Sequence, residues 1–142
     1  MSVYLDASVI VALFTQDHFT DRATEVLASR NESVIVSDFA AAEFSSVMAR
    51  YVRAGSITAD QARFAFSAFD EWIASSCRRV ATDGTIISQA ETFLRRLDTT
   101  LRAPDAINIA LALKSQASLM TFDAKMASAA QALGAPLTVT IP

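Results

Sequence analysis

Four acids of this chain, Asp6, Glu43, Asp105 and Asp123, stand where a sheet fold could gather them. Asp6 closes the apolar run Val3-Tyr4-Leu5 and is followed at once by Ala7-Ser8-Val9-Ile10-Val11-Ala12-Leu13-Phe14. A strand that ends on the acid and hands over to a helix near Ser8 accounts for that pattern. An unpaired buried carboxylate is costly unless its pKa shifts or a cation meets it. At the carboxyl end of an apolar strand, Asp6 points toward the crevice where α/β folds bind ligands. As a helix N-cap it would need no ligand; on this stretch alone both readings stand. Asp123 closes Ser118-Leu119-Met120-Thr121-Phe122 in the same way, Asp105 lies in the first turn of a helix, and Glu43 lies one turn into a helix that follows a strand. Clustered carboxylates repel and raise one another's pKa. Oxygen-only sites select hard divalent ions such as Mg2+ or Mn2+. Such an ion turns a bound water into a stronger nucleophile and polarises a phosphate oxygen. Linear spacing alone does not distinguish that cluster from four separate caps and solvated charges.

The elements that must position these acids are legible in order. Thr20 to Arg30 reads as an amphipathic helix, Val34-Ile35-Val36-Ser37 as a buried strand, and Ser37 or Asp38 as the cap of a helix reaching Ala54, with Gly55 as its stop. Thr58-Ala59-Asp60-Gln61 has the capping-box pattern. The helix it opens carries Phe64, Phe66, Phe69 and Trp72 over a broad arc. That width fits either a partner chain or a helix sunk in its own core. Arg79-Val80-Ala81 is a third strand, and Asp83 caps a helix reaching Leu97. Pro104 suits the first position of the next helix, with Asp105 and Asn108 on one face. Ser118 to Phe122 is a strand, a helix runs from Asp123 to Leu133 with Gly134 as its stop, and Leu137 to Thr140 is a fifth strand. Strands alternate with helices and no hairpin dipeptide joins two strands, which favours a parallel sheet covered on both faces.

Composition bounds the function. The chain of 142 residues is 52% apolar with three Gly and three Pro, which fits one helix-rich domain with a full core. A single cysteine, Cys77, forms no internal disulfide and fits a reducing, cytoplasmic compartment. No basic segment precedes the first apolar run and no run spans a bilayer, so neither a signal peptide nor a membrane partner is expected. A formal net charge of −3 argues against a basic nucleic-acid binder. It does not exclude a nuclease, because setting aside four metal-bound acids leaves a remainder that is no longer acidic.

The segments Tyr4 to Val11, Ser37 to Glu43, Pro104-Asp105-Ala106-Ile107-Asn108-Ile109-Ala110 and Thr121-Phe122-Asp123 resemble the four motifs of PIN-domain ribonucleases, in order across essentially the whole chain. Within that family the chain is most similar to the VapC toxins of type II toxin–antitoxin modules. The resemblance implies a single PIN domain over residues 1–142. Its fold would be a three-layer α/β fold, a five-stranded parallel sheet of order 3-2-1-4-5 flanked by helices. It also implies a metal-dependent endoribonuclease using Mg2+ or Mn2+, an RNA substrate, a homodimer and inhibition by a cognate antitoxin. Carried over residue by residue, Asp6, Glu43, Asp105 and Asp123 become the catalytic and metal-binding quartet. Ser8 matches the small hydroxyl residue after the first acid, and Thr121 the hydroxyl before the last. Asn108 takes a place where the subfamily often has His. For Ser8 and Thr121 the plainer roles are a helix cap and a strand residue.

Other classes fail on particular residues. A haloacid-dehalogenase-type phosphatase needs a second Asp two positions after the first, where Ser8 stands. A receiver domain needs paired acids after its first strand and a Lys after its last, and both are missing. Ser–His–Asp catalysis would depend on His18, the only His, expected on the surface between two helices and away from the acids. Cys77 is expected to be packed. The reading that stays open is a catalytically idle PIN-like module that binds RNA or a protein. For the active form, water delivered in line by a carboxylate-held ion implies 5′-phosphate and 3′-hydroxyl ends. Glu43 or Asp105 orients that water, and the sequence does not decide between them.

Overall fold

The computed structural model describes residues 1–138. The described elements are β1 (Ser2–Leu5), α1 (Ala7–Phe14), α2 (Thr20–Ala28), β2 (Ser33–Ser37), α3 (Asp38–Arg53), α4 (Ala59–Ser76), β3 (Cys77–Val80), α5 (Gly84–Leu94), α6 (Ala103–Lys114), β4 (Ser118–Met120) and α7 (Ala124–Ala132). All strand pairs are parallel, in the order β3-β2-β1-β4. The described sheet therefore has four strands where five were expected. The fifth position is nonetheless marked. Leu137 bridges Leu119 in parallel along the free edge of β4, and the Thr138 N–H donates to the Leu119 carbonyl at 2.8 Å. Val139 and Thr140, the rest of that expected strand, lie outside the described residues.

Alternation along the strands splits the core into two layers. Val3, Leu5 and Val36 face α1 to α4, where Ile10, Phe44, Met48 and Phe69 are buried. Tyr4, Ile35 and Leu119 face α5 to α7, with Ile86, Ile109 and Met126. The central strand β1 is thus buried on both sides, as a parallel sheet requires. At the far edge, β3 presents exposed Arg78 and Arg79, charges that discourage pairing with another edge.

Local chemistry sets the boundaries. Ser37 caps α3 by accepting the Ala40 N–H at 2.9 Å. Asp38 instead accepts from the Thr82 backbone at 3.0 Å and from the Thr82 hydroxyl at 2.6 Å, fastening the start of α3 to the turn after β3. Thr58 and Gln61 close the expected capping box, and Gly55 and Gly134 take positive φ at the ends of their helices. Several expected boundaries move, α2 among them, which ends at Ala28 and not Arg30. Strand β3 begins at Cys77, earlier than Arg79, because α4 passes directly into it at an extended Cys77. Helix α5 ends at Leu94 and not Leu97, its last amides tightening to i−3 bonds from Arg96 and Leu97. Strand β4 stops at Met120, and the polar groups of Thr121 and Phe122 turn to Asp6 and Ser8.

The broad aromatic face of α4 is mostly used inside the chain. Phe14 meets Phe44, Phe69 and Trp72, and Phe44 meets Phe66 edge-on. Phe64 is the exception, 78% exposed. Among the described residues no helix is long and apolar enough to cross a membrane.

Candidate active site

The four acids come from four different elements and line one cleft of about 850 Å³ at the carboxyl ends of β1 and β4. Asp6 is its anchor. The carboxylate is buried and accepts the Val9 N–H at 3.2 Å and the Ser8 hydroxyl at 2.6 Å on Oδ1, with the Thr121 hydroxyl on Oδ2. Asp6 therefore both caps α1 and lines the cleft.

Ser8 and Thr121 do more than cap or extend. Each donates to Asp6 and also accepts a backbone N–H from the segment after β4, Phe122 to Ser8 and Asp123 to Thr121, both at 3.0 Å. Two hydroxyls thus stitch the end of β1 to the end of β4 and fix the distance between two acids. Asp123, exposed, caps α7 through the N–H groups of Lys125 and Met126. Asp105, half-buried, accepts the Arg102 N–H at 3.2 Å in the first turn of α6.

Glu43 is held from the side. Asn108 donates through Nδ2 to Glu43 Oε1 at 2.7 Å and to the Pro104 carbonyl at 3.0 Å. With both amide hydrogens used, its Oδ1 accepts from the Tyr4 hydroxyl at 2.6 Å. Tyr4 also meets the Ser37 hydroxyl at 2.7 Å, and since its one proton goes to Asn108, Ser37 is the donor there. A buried chain therefore runs from Ser37 through Tyr4 and Asn108 to Glu43. Asn108 is buried and its amide is committed to Glu43 and Pro104, so it supports an acid. Tyr4 and Ser37 had not been assigned to the site. The available signal was a tyrosine inside an apolar strand, whose hydroxyl needs a partner when buried.

Electrostatics ties the acids together. Burial, above all, pushes Asp6 up to about 6, the three donors oppose it, and Asp123 pushes it further. Burial also raises Glu43, with Asp6 and Asp105 adding to the rise against the Asn108 hydrogen bond. Burial sends the Tyr4 phenol well above its usual value, so it stays a donor. Such a set fits a hard divalent ion by donor chemistry and by the repulsion an ion would relieve. Among the described residues no three ligating side chains form a ready-made cage.

The cleft also contains residues that sequence reasoning left out. Arg50, Arg102, His18 and Phe19 line it. His18 is exposed between α1 and α2, as expected, but it shares the cleft with the acids and is not remote from them. Cys77 is half-buried, and burial raises its thiol to about 12, an inert packed cysteine.

Residues 3–132 match the family model of the PIN domain. The chain belongs to the PIN-domain family. Solved structures agree on the fold. The sarcin–ricin-loop-cleaving toxin VapC20 of Mycobacterium tuberculosis is similar at a TM-score of 0.72 and 21% identity, over 89% of this chain and 94% of that one. VapBC2 of Rickettsia felis, bound to a fragment of its promoter DNA, gives 0.70 at 16% identity over 97% and 98%. A toxin–antitoxin complex from Klebsiella pneumoniae gives 0.60 at 18% over 85% and 86%. No curated protein matches the chain in sequence.

The burial of Asp6 carries a pH signature. A carboxyl whose pKa rises from about 4 in the unfolded chain to about 6 in the fold favours the folded state while protonated. Its contribution is full below about pH 4 and is lost as the pH climbs through about 6. Relative to Asp6→Asn, the ion-free protein should lose stability across that window, on the order of 3 kcal/mol in total. Urea unfolding of both proteins from pH 4 to 8 measures the difference. A flat difference would remove the electrostatic account of the site.

Proposed function

We propose that this PIN domain is a metal-dependent endoribonuclease, the toxin of a VapBC-type toxin–antitoxin module acting in the cytoplasm. The observation that carries the reading is the convergence of Asp6, Glu43, Asp105 and Asp123 on one cleft, with Asp6 braced against its own desolvation. VapC20, one of the similar structures, is described as a toxin that cleaves the sarcin–ricin loop. Asp6, Asp105, Asp123 and Glu43 are the residues that would hold Mg2+ or Mn2+. When bound, such an ion supplies a water of lowered pKa and a positive charge against the phosphate.

The chain's own residues do the rest. Ser8 and Thr121 keep Asp6 in place and need not touch RNA. Glu43 is favoured over Asp105 as the group that orients water and takes its proton: burial raises its affinity for a proton, and Asn108 fixes Oε1 so that Oε2 remains for the transfer. Arg50 and Arg102 offer charge to the RNA backbone. A compact domain with an open cleft suits RNA that is locally single-stranded.

Cleavage should leave 5′-phosphate and 3′-hydroxyl ends and should tolerate a 2′-deoxy nucleotide at the cut. End-group analysis of a labelled RNA decides this, and a 2′,3′-cyclic phosphate would refute it. Mn2+ at 100 times its dissociation constant should stabilise the protein by about 2.7 kcal/mol. Asp6→Asn should keep the fold, weaken that shift and abolish cleavage. A protein that takes up Mn2+ and binds RNA without cutting it would be the idle module instead. Asn108→Ala should lower kcat by roughly 10- to 100-fold with little change in KM, since it frees Glu43 without removing it. An unchanged kcat would mean that Glu43 needs no support.

The proposed antitoxin contact is an apolar helix in the hollow beside Phe64. That hollow, of about 670 Å³, is bounded by Phe14, Met48, Tyr51, Ile57 and Ala65. A helix laid in such a groove reads as a few apolar anchors. Phe64→Ser should weaken antitoxin binding by at least roughly tenfold while leaving the melting temperature nearly unchanged. Equal affinity would place the antitoxin elsewhere. For the proposed homodimer, the large exposed apolar side chains besides Phe64 among the described residues are Met1, Ile87 and Leu97, and a monomer by light scattering at micromolar concentration would exclude it.

A further inference from the structure

The wall of the cleft contains a graded stack of three rings. Phe122, buried, lies parallel to Phe19 with centroids 4.5 Å apart and planes 6° apart. His18 lies against Phe19 at 4.0 Å, tilted by 40°. Exposure rises along the series from buried Phe122 through half-buried Phe19 to exposed His18. All three line the same cleft as the acids.

The stack is held rigidly at both ends. The Phe122 N–H donates to Ser8, so the inner ring is fixed to the segment that carries Asp6 and Asp123. The outer rings sit on the short link between α1 and α2. There Asp17 Oδ1 accepts the Phe19 N–H at 2.7 Å, the Asp17 N–H donates to Thr20 Oγ1 at 3.0 Å, and the Thr20 hydroxyl donates to the Thr15 carbonyl at 2.9 Å. Phe19 packs against the apolar core as well as Phe122, whereas the imidazole of His18 is exposed and lines the acidic cleft, where its ring can meet a flat ligand. Single-stranded nucleic acids are gripped by this combination of aromatic faces for bases and cations for phosphates. Arg50 and Arg102 supply the cations on the same cleft.

We propose that His18, backed by Phe19, is a stacking platform for one unpaired base of the RNA next to the cleaved phosphate. The inference rests on the ribonuclease reading above and adds a specificity-determining contact to it. The base is chosen by its π-face, so the platform fixes the position of the cut relative to an unstacked nucleotide and not its identity.

The test uses a short single-stranded RNA that the protein cleaves, prepared with one abasic nucleotide at each position around the cut, against the wild type, His18→Ala and His18→Trp. In the wild type, one abasic position should raise KM by about tenfold or more. His18→Ala on the intact RNA should raise KM comparably with kcat and the Mn2+-induced melting shift retained. The two losses should not add, because they remove the same contact. His18→Trp should restore or tighten binding. Additive losses, no sensitive position, or failure of Trp to rescue would each overturn the platform while leaving the ribonuclease intact. A kcat loss in His18→Ala at unchanged KM would also overturn it, by placing the imidazole in the chemistry. A wild type that cleaves no RNA would overturn the platform and the ribonuclease reading together.

Discussion

The whole arrangement depends on keeping one carboxylate, Asp6, at a position where the fold has removed most of its water. A strand buried on both faces must end somewhere, and this one ends on an acid. Three protein donors replace part of the lost hydration, two of them hydroxyls from opposite sides of the β1–β4 junction. They do not replace all of it, since burial still outweighs them and carries Asp6 up to about 6. The remainder is a standing demand for positive charge. Asp123, on the adjacent strand end, increases that demand, and Glu43 and Asp105 extend it along the cleft. A fold seeking only stability would place an Asn or Ser there. The retained cost fits the proposed cation-dependent site.

The second constraint is rigidity without a ready-made cage. Four acids on four elements would drift if each were a lone surface side chain. Ser8 and Thr121 tie two of them through a shared pair of hydroxyls, and the Ser37–Tyr4–Asn108 chain ties a third across the sheet. Tyr4 is the member that makes this work. It faces the α5–α7 layer, yet its hydroxyl reaches both the cap of α3 and the first turns of α6. The two helices that carry Glu43 and Asp105 are thus registered against the central strand by hydrogen bonds, not by apolar packing alone.

Much of this was legible in the chain. Alternating strands and helices without hairpin turns fixed a parallel sheet, and strand-end acids followed by capping patterns pointed to one crevice. Boundaries blurred where tertiary bonds outcompeted local preference. Thr121 and Phe122 read as strand by propensity, but their hydroxyl and amide are worth more against Asp6 and Ser8 than in a ladder. The width of the aromatic arc of α4 left a partner chain and its own core both open, because a helical wheel does not reveal Phe14 and Phe44 approaching from two other helices. Asn108 lay on the same helix face as Asp105, yet its partners stand 65 and 104 residues away in the chain, beyond any local pattern.

His18 marks the limit of that legibility most clearly. As a sequence position it is a lone imidazole between two helices, with nothing to connect it to Asp123 more than a hundred residues later. Its place goes with Phe122, which lies beyond the end of β4 next to the Thr121 that bonds Asp6. Phe19 lies flat on the Phe122 ring. The link between α1 and α2 is thereby drawn to the rim of the acidic cleft, and the imidazole comes with it. The hydroxyl that braces the buried acid and the ring stack beside it thus come from the two consecutive residues that follow β4.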